Sequence, residues 1–109
     1  MINSRQKGKR AELEIAKIFR DYGFSDARRT AQFCGNTGDA SDVVGLPGIH
    51  CEIKHVEKLN IDNAMAQAVR DAKDGQMPTV FHRKNQKKWL VTMRLDDWMQ
   101  IYRGAHKDG

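Results

Sequence analysis

The sequence predicts a single α/β domain in which a mixed sheet of about five strands is flanked by helices, in the order α-β-β-β-α-β-β-α. Two amphipathic stretches, near residues 8–22 and 61–72, carry apolar residues at helical spacing. Short apolar runs bounded by glycine, proline and asparagine lie between and after them, as is typical of strands and turns. A chain of 109 residues suits one hydrophobic core, so residues 1–109 are expected to form one domain.

The first helix is predicted to span residues 8–22, beginning at residue 8 or 9, after a flexible lead-in at residues 1–7. Gly23 follows in the position that glycine favours after a helix. Glu12 and Glu14 flank the apolar stripe on its two sides, and periodicity does not say which of them approaches a site. Both also suit the early turns of a helix for electrostatic reasons alone. The stripe consists of Ala11, Ile15, Ile18, Phe19 and Tyr22.

Residues 24–30 are predicted to form the first strand, and residues 31–41 form a loop rich in glycine and small polar residues. Arg28 and Arg29 would point to opposite faces of the strand, so only one of them can face a bound phosphate. The loop leads directly into Asp42, where its amides and hydroxyls could contact a nucleic-acid backbone. A plain connector is the alternative interpretation.

The centre of the chain is a predicted hairpin of residues 42–45 and 49–56, joined by a Pro-Gly turn. Side chains alternate between the faces of a strand, so Glu52 and Lys54 lie side by side on one face. The hairpin also brings Asp42 back near Glu52. Two carboxylates and a lysine at one place can hold a divalent cation and orient an attacking water; a surface Glu–Lys pair is the alternative. By the same alternation, Ile49, Cys51 and Ile53 face the core, and His50 shares the face of Glu52.

A second helix is predicted to begin at Asn60 or Asp62 and to end before Gly75, with its apolar stripe packed on the sheet. Gln67 and Arg70 lie outside that stripe and have no predicted role. The stripe consists of Ile61, Ala64, Met65, Ala68, Val69 and Ala72.

Two further strands, residues 78–82 and 88–93, are predicted after the second helix. A short last helix follows from Leu95 to Tyr102, with Trp98 packing inward. Residues 104–109 are expected to form a flexible tail. The hairpin should then lie centrally in the sheet, between the two longer helices.

The charge distribution favours a polyanionic partner. The formal net charge is +5, and nucleic acid is the commonest partner of a small basic domain; a soluble lysine-rich surface is the alternative. Basic residues cluster in residues 5–10 and again between residues 81 and 95, as phosphate contacts require. The candidate phosphate-binding residues are Lys9, Arg10, Arg29, Arg83 and Lys84.

Several other classes of protein are disfavoured. No apolar run approaches the ~20 residues of a membrane span, and residues 1–10 lack the apolar centre of a secretory signal. The two cysteines, Cys34 and Cys51, have no CxxC spacing, which argues against a zinc site and fits a reducing cytoplasm. No small-molecule cofactor is expected.

The central motif resembles that of a known superfamily. The sequence Ser41-Asp42 … Glu52-Ile53-Lys54 is similar to the motif of the PD-(D/E)XK nucleases. Residues 7–12, Phe19 and residues 22–24 resemble the first helix of archaeal-type Holliday junction resolvases. Roughly residues 7–95 also resemble the small resolvase-like nucleases of phages and prophages. The resemblance implies a restriction-endonuclease-like core.

The resemblance also implies roles for individual residues. Asp42 and Glu52 would ligate Mg²⁺ or Mn²⁺, with the backbone carbonyl of Ile53 completing the site. Lys54 would position the attacking water and stabilise negative charge. Glu12, rather than Glu14, would be the acid of the first helix that reaches the metal, possibly through water.

The sequence departs from the family pattern at two places. Ser41 stands where the motif has proline, at a tolerant position. The resolvases carry a Ser-Gly-Ser loop before the aspartate, where this chain has Cys34-Gly35-Asn36-Thr37. Asn36, Thr37 or Ser41 are the candidates to replace the loop serine.

Together these features predict a metal-dependent endonuclease, with Glu12, Asp42, Glu52 and Lys54 as catalytic residues, acting in the cytoplasm on branched DNA. A twofold junction suggests a homodimer whose two sites cut two strands. One alternative is a repair or replication nuclease of the same fold that cuts flaps, nicks or duplex. The other is a non-catalytic basic DNA-binding module.

Overall fold

The computed structural model of the protein describes residues 4–30 and 41–106, and it has the predicted order of elements. The helices are α1 (Ser4–Asp21), α2 (Ile61–Asp71) and α3 (Leu95–Ala105). The strands are β1 (Arg28–Arg29), β2 (Val43–Val44), β3 (Ile49–His55), β4 (Met77–Arg83) and β5 (Leu90–Met93). The predicted α/β class, with a five-stranded mixed sheet and three helices, is confirmed.

The strands lie in the sheet in chain order, so the hairpin strand β3 occupies the centre. β1, β2 and β3 pair antiparallel, and so do β4 and β5. β3 and β4 are parallel, which requires a crossover connection; α2 supplies it. The two long central strands therefore run side by side, with Glu52 opposite Val80 and Lys54 opposite His82.

α1 and α2 pack with different sets of core residues, as the alternation along β3 requires. Cys51 and Ile53 belong to the cluster with the apolar stripe of α1, whereas Val80 of β4 packs with Ala64 and Ala68 of α2. The remaining buried members of the α1 cluster are Ala11, Ile15, Ala16, Phe19, Ala27, Val43 and Phe81.

The turn between β2 and β3 contains a close backbone approach. Gly45 has φ of 111°, and a Cβ atom built there would lie 2.4 Å from the Cα atom of Ala27. Glycine permits both the left-handed conformation and this separation. The contact holds the end of β2 against the start of β1.

Three boundary predictions are wrong in part. The first strand, predicted over residues 24–30, is limited to β1 (Arg28–Arg29), because turns occupy the residues before it. α1 begins at Ser4, so residues 4–7 are helical and form no irregular lead-in. The helix continues through Gly8 because one glycine costs only about 1 kcal/mol in a helix. At the other end, α3 continues to Ala105, so residues 104 and 105 belong to the helix. The flexibility predicted for residues 1–3 and 107–109 lies outside the described residues.

The predicted inward packing of Trp98 is also wrong. Its side chain is 46% exposed and stacks on Tyr102 of the same helix, with ring centroids 5.2 Å apart. Asp97 is the one buried residue among the eleven of α3. The last helix therefore leaves its apolar side chains exposed and not packed on the sheet.

Candidate active site

An open pocket of about 540 Å³ lies beside β3 and brings four elements of the chain together. α1 contributes Glu12, the residue before β2 is Asp42, β3 contributes Glu52 and Lys54, and α2 contributes Gln67. All four side chains predicted to be catalytic thus line one pocket. Glu14 does not line it and instead accepts a hydrogen bond from Arg83 at 3.1 Å.

Asp42 is held by backbone contacts on both of its sides. Its carboxylate Oδ2 accepts a hydrogen bond from the Ile53 amide at 2.8 Å, and its own amide donates to the Cys51 carbonyl at 2.9 Å. The Thr30 amide donates to the Asp42 carbonyl at 3.1 Å. The side chain is therefore placed next to the backbone of Ile53, the residue whose carbonyl the resemblance implicates.

Glu52 is almost fully buried, at 1% exposure, and belongs to a chain of buried polar groups. Its Oε1 atom lies 2.8 Å from His50 Nε2, and His50 Nδ1 lies 2.8 Å from Ser41 Oγ. An ionised carboxylate only accepts hydrogen bonds, so Nε2 carries the proton and donates to Glu52. In the neutral imidazole, Nδ1 then accepts from the Ser41 hydroxyl.

The second carboxylate oxygen of Glu52 indicates what the pocket can hold. Within the described residues, Oε2 is buried and has no hydrogen-bond partner, and a buried acceptor without a partner is costly. The described residues contain no group of three histidine, cysteine or acidic side chains spaced to enclose a metal. Mg²⁺ needs no such enclosure, because it binds through one or two carboxylates and keeps several waters. The oxygen ligands present therefore fit Mg²⁺ or Mn²⁺.

Glu12 forms an ion pair at the rim of the pocket. Its Oε1 atom accepts a hydrogen bond from Arg29 Nε at 2.7 Å. Burial raises the pKa of Glu12, and the Glu52 charge adds to this increase, while Arg29 and Lys54 oppose it. Arg29, which the sequence predicted to contact phosphate, therefore has its charge paired with Glu12 in this structure.

Lys54 has a partner that the sequence did not reveal. Its Nζ atom donates to Gln67 Oε1 at 3.2 Å, across from β3 to α2. Gln67 lines the pocket, although it lies outside the apolar stripe of its helix. The signal in the sequence was a polar residue directly beside the apolar stripe of the helix. That signal does not identify Lys54 as the partner of Gln67.

The other predicted phosphate contacts divide into exposed and packed residues. Lys9, Arg10 and Lys84 are exposed. The Arg83 side chain is only 18% exposed, pairs with Glu14 and lies 5.6 Å from the centroid of the Trp89 ring. Arg83 therefore contributes to packing between α1 and β4.

The structure describes only one of the three residues that were candidates to replace the loop serine of the resolvases. Asn36 and Thr37 lie outside the described residues. Ser41 is buried, and its hydroxyl contacts His50. Because Ser41 contacts His50 and His50 contacts Glu52, Ser41 helps to hold Glu52 in place in this structure.

Comparison with known proteins identifies the family of the chain. Residues 3–108 match the model of a protein family described as "Phage putative PDDEXK endonuclease". No curated protein and no solved structure matches the chain significantly. The family match confirms the resemblance to the PD-(D/E)XK superfamily and to its phage nucleases. Since that match spans nearly the whole chain, and the motif residues Asp42, Glu52 and Lys54 meet in one pocket, this chain belongs to the family of phage PDDEXK endonucleases.

Proposed function

We propose that this endonuclease uses Mg²⁺ or Mn²⁺ to hydrolyse phosphodiester bonds in branched DNA, including four-way junctions. The observation that carries the metal dependence is the convergence of Glu12, Asp42 and Glu52 on one open pocket, with Glu52 Oε2 buried and without a partner among the described residues.

Each pocket residue has a proposed role. Asp42 and Glu52 would hold the cation together with the Ile53 carbonyl, and Glu12 would reach it through water. A bound divalent cation supplies positive charge across the phosphate oxygens and activates water. Lys54, oriented by Gln67, positions the attacking water and stabilises negative charge on the phosphate as a point charge.

The proposed DNA contacts follow exposure and charge. Lys9, Arg10 and Lys84 are exposed and contact the phosphate backbone directly. Arg29 would contact phosphate only after its ion pair with Glu12 opens. Arg83 supports the same surface from its packed position beside Trp89. Binding should weaken steeply with salt, because each phosphate contact releases counterions.

We propose that the protein acts in the cytoplasm and as a homodimer, so that two pockets serve two strands. Within the described residues, every helix is too short or too polar to cross a membrane.

A cleavage panel tests the metal dependence and the substrate. End-labelled four-way junction, flap, nicked duplex and linear duplex of the same sequences are incubated with Mg²⁺, Mn²⁺ or EDTA. Cleavage should need a metal and should be fastest on branched DNA. Equal rates on junction and linear duplex would remove the branched-DNA proposal and leave the nuclease.

Variants test the residue assignments in the same panel. Asp42→Asn, Glu52→Gln and Lys54→Ala should each lower the rate by about 100-fold or more. Glu12→Gln should also lower it, whereas Glu14→Gln is the matched control on the same helix, because Glu14 lies outside the pocket. If the three motif variants cut as fast as wild type, the site is wrong. Persistent DNA binding with no cleavage under any metal would favour the non-catalytic binding module.

A further inference from the structure

The last helix, α3, exposes a continuous apolar face. Five large apolar side chains are at least 45% exposed, although they recur at spacings that place them on one side of the helix. Burying this face on its own sheet would have been the ordinary outcome for an amphipathic helix. The exposed fractions are 72% for Leu95, 46% for Trp98 and Met99, 45% for Ile101 and 47% for Tyr102.

The apolar face of α3 is large for a surface patch. Five large side chains that each expose about 100 Å² present about 500 Å² of contiguous apolar surface, in the upper range for the largest patch of a monomer. Patches of that size are often functional. The face lies far from Lys9 and Arg10 in the sequence, and no α3 residue lines the candidate active-site pocket.

The charges beside the apolar face are placed so that two copies of the helix would be complementary to each other. Asp96 and Arg103 lie at opposite ends of α3 on the same flank, where with Met99 and Gln100 they line a shallow depression. Neither forms an ion pair with another described residue. When two copies of one helix pack antiparallel, residues of the same flank at opposite ends meet. Asp96 of each copy would then face Arg103 of the other.

We propose that α3 is the surface through which two copies of this chain pair antiparallel around a twofold axis. A twofold interface uses the same patch on both copies and must be self-complementary, and α3 meets this requirement in shape and in charge. The pair would bury about 1,000 Å² in total, which is the lower limit for a specific interface. Dimerisation should therefore depend on concentration.

The surface is less suited to other partners. The exposed carboxylate of Asp96 at the start of the helix would repel a nucleic-acid backbone. An unrelated protein would not require the two flank charges to be placed symmetrically. A second copy accounts for both features, and it brings two active-site pockets into one assembly.

The experiment measures mass against concentration by light scattering and sedimentation for the full chain and for charge variants. Wild type should approach twice 12.4 kDa as concentration rises. Asp96→Lys and Arg103→Glu should each raise the dimer dissociation constant by about tenfold, since two symmetric pairs are lost and like charges meet. The double variant Asp96→Lys/Arg103→Glu should restore dimerisation. Met99→Asp, which places carboxylates in the apolar face, should abolish it.

Far-UV circular dichroism checks each variant for helix content, because these charges also act on the helix dipole. Asp62→Lys, an exposed acid on α2, is the control and should dimerise as wild type does. A wild-type mass that stays at 12.4 kDa at the highest soluble concentration would overturn the proposal. So would well-folded single variants that dimerise normally, or a folded double variant that does not recover. Cleavage of one labelled strand by the monomeric variants reports separately on the nuclease site, whose failure would leave the pairing unaffected.

Discussion

Replacing His50 with leucine should destabilise the fold by about 3 kcal/mol, because it removes a hydrogen bond to a charged group and leaves that buried carboxylate oxygen without a donor. His50 is fully buried and contacts Oε1 of Glu52, whose other oxygen already has no partner among the described residues. His50→Leu therefore leaves neither carboxylate oxygen with a described donor. Leucine fills the imidazole volume, so the cavity term stays small, and the loss reports on the hydrogen bonds of His50 with Glu52 and Ser41, which the double-mutant cycle separates.

The assay is urea unfolding followed by circular dichroism, with a double-mutant cycle to isolate the interaction. Glu52→Gln removes the charge, so it should destabilise the wild-type background but stabilise the His50→Leu background. A coupling of about 2 kcal/mol is expected for two groups in direct contact. Cys51→Ala, at a fully buried neighbour on the opposite face of β3, is the control and should couple to Glu52→Gln by less than about 0.5 kcal/mol.

Two results would refute this reasoning. If His50→Leu costs less than about 1 kcal/mol, the typical net value of one neutral hydrogen bond, His50 does not stabilise a buried charge. If Glu52→Gln is equally destabilising in both backgrounds, the two side chains do not act together in the folded protein.

Three further predictions concern other parts of the fold. Gly45→Ala should destabilise by at least about 2 kcal/mol in denaturant unfolding, because φ is 111° and the new Cβ would meet the Ala27 backbone at 2.4 Å; unchanged stability would contradict the close approach. Burial lowers the pKa of His82 below its ordinary 6.5, so the unfolded chain binds more protons between the two pKa values and stability falls as pH drops through that window. His82→Gln should reduce this slope in unfolding curves measured from pH 7 to 5, and an identical slope would show that His82 does not contribute. Lys84→Ala should leave the free energy of unfolding unchanged but reduce the slope of log DNA-binding constant against log salt concentration by about one. Arg83→Ala should instead lower the free energy of unfolding by about 1 kcal/mol, because it removes packing on Trp89. The reverse pattern would exchange the roles assigned to these two residues.

The sequence predicted which residues meet at the site better than it predicted how they are held. Strand alternation correctly placed Glu52 and Lys54 on one face and Asp42 nearby. It did not predict that Glu52 and His50 are buried, because alternation assigns a face but does not say how deeply another layer covers it. Gln67 was missed for a related reason: its contact with Lys54 depends on how α2 is positioned over β3, which no local pattern contains.

The same limit explains the error at the last helix. The sequence correctly predicted a short last helix that begins at Leu95. A local pattern cannot specify what the side chains of a helix contact, so inward packing of Trp98 was the natural expectation for an isolated chain. The start of α1 was misplaced because Gly8 looked like a boundary, whereas the helix accommodates it.

The order of the strands keeps the residues of the candidate active site apart from the C-terminal strand and helix. Every residue of the candidate active-site pocket lies between Lys7 and Gln67; β5 is the far edge strand of the sheet, and neither β5 nor the α3 helix that follows it lines the pocket. The C-terminal portion from Leu90 onward could therefore be exchanged for another edge strand and helix while the chemistry stays in place. If α3 pairs two copies as we propose, such an exchange would change the quaternary arrangement, and with it the spacing between cuts, while the residues that break the bond stay the same.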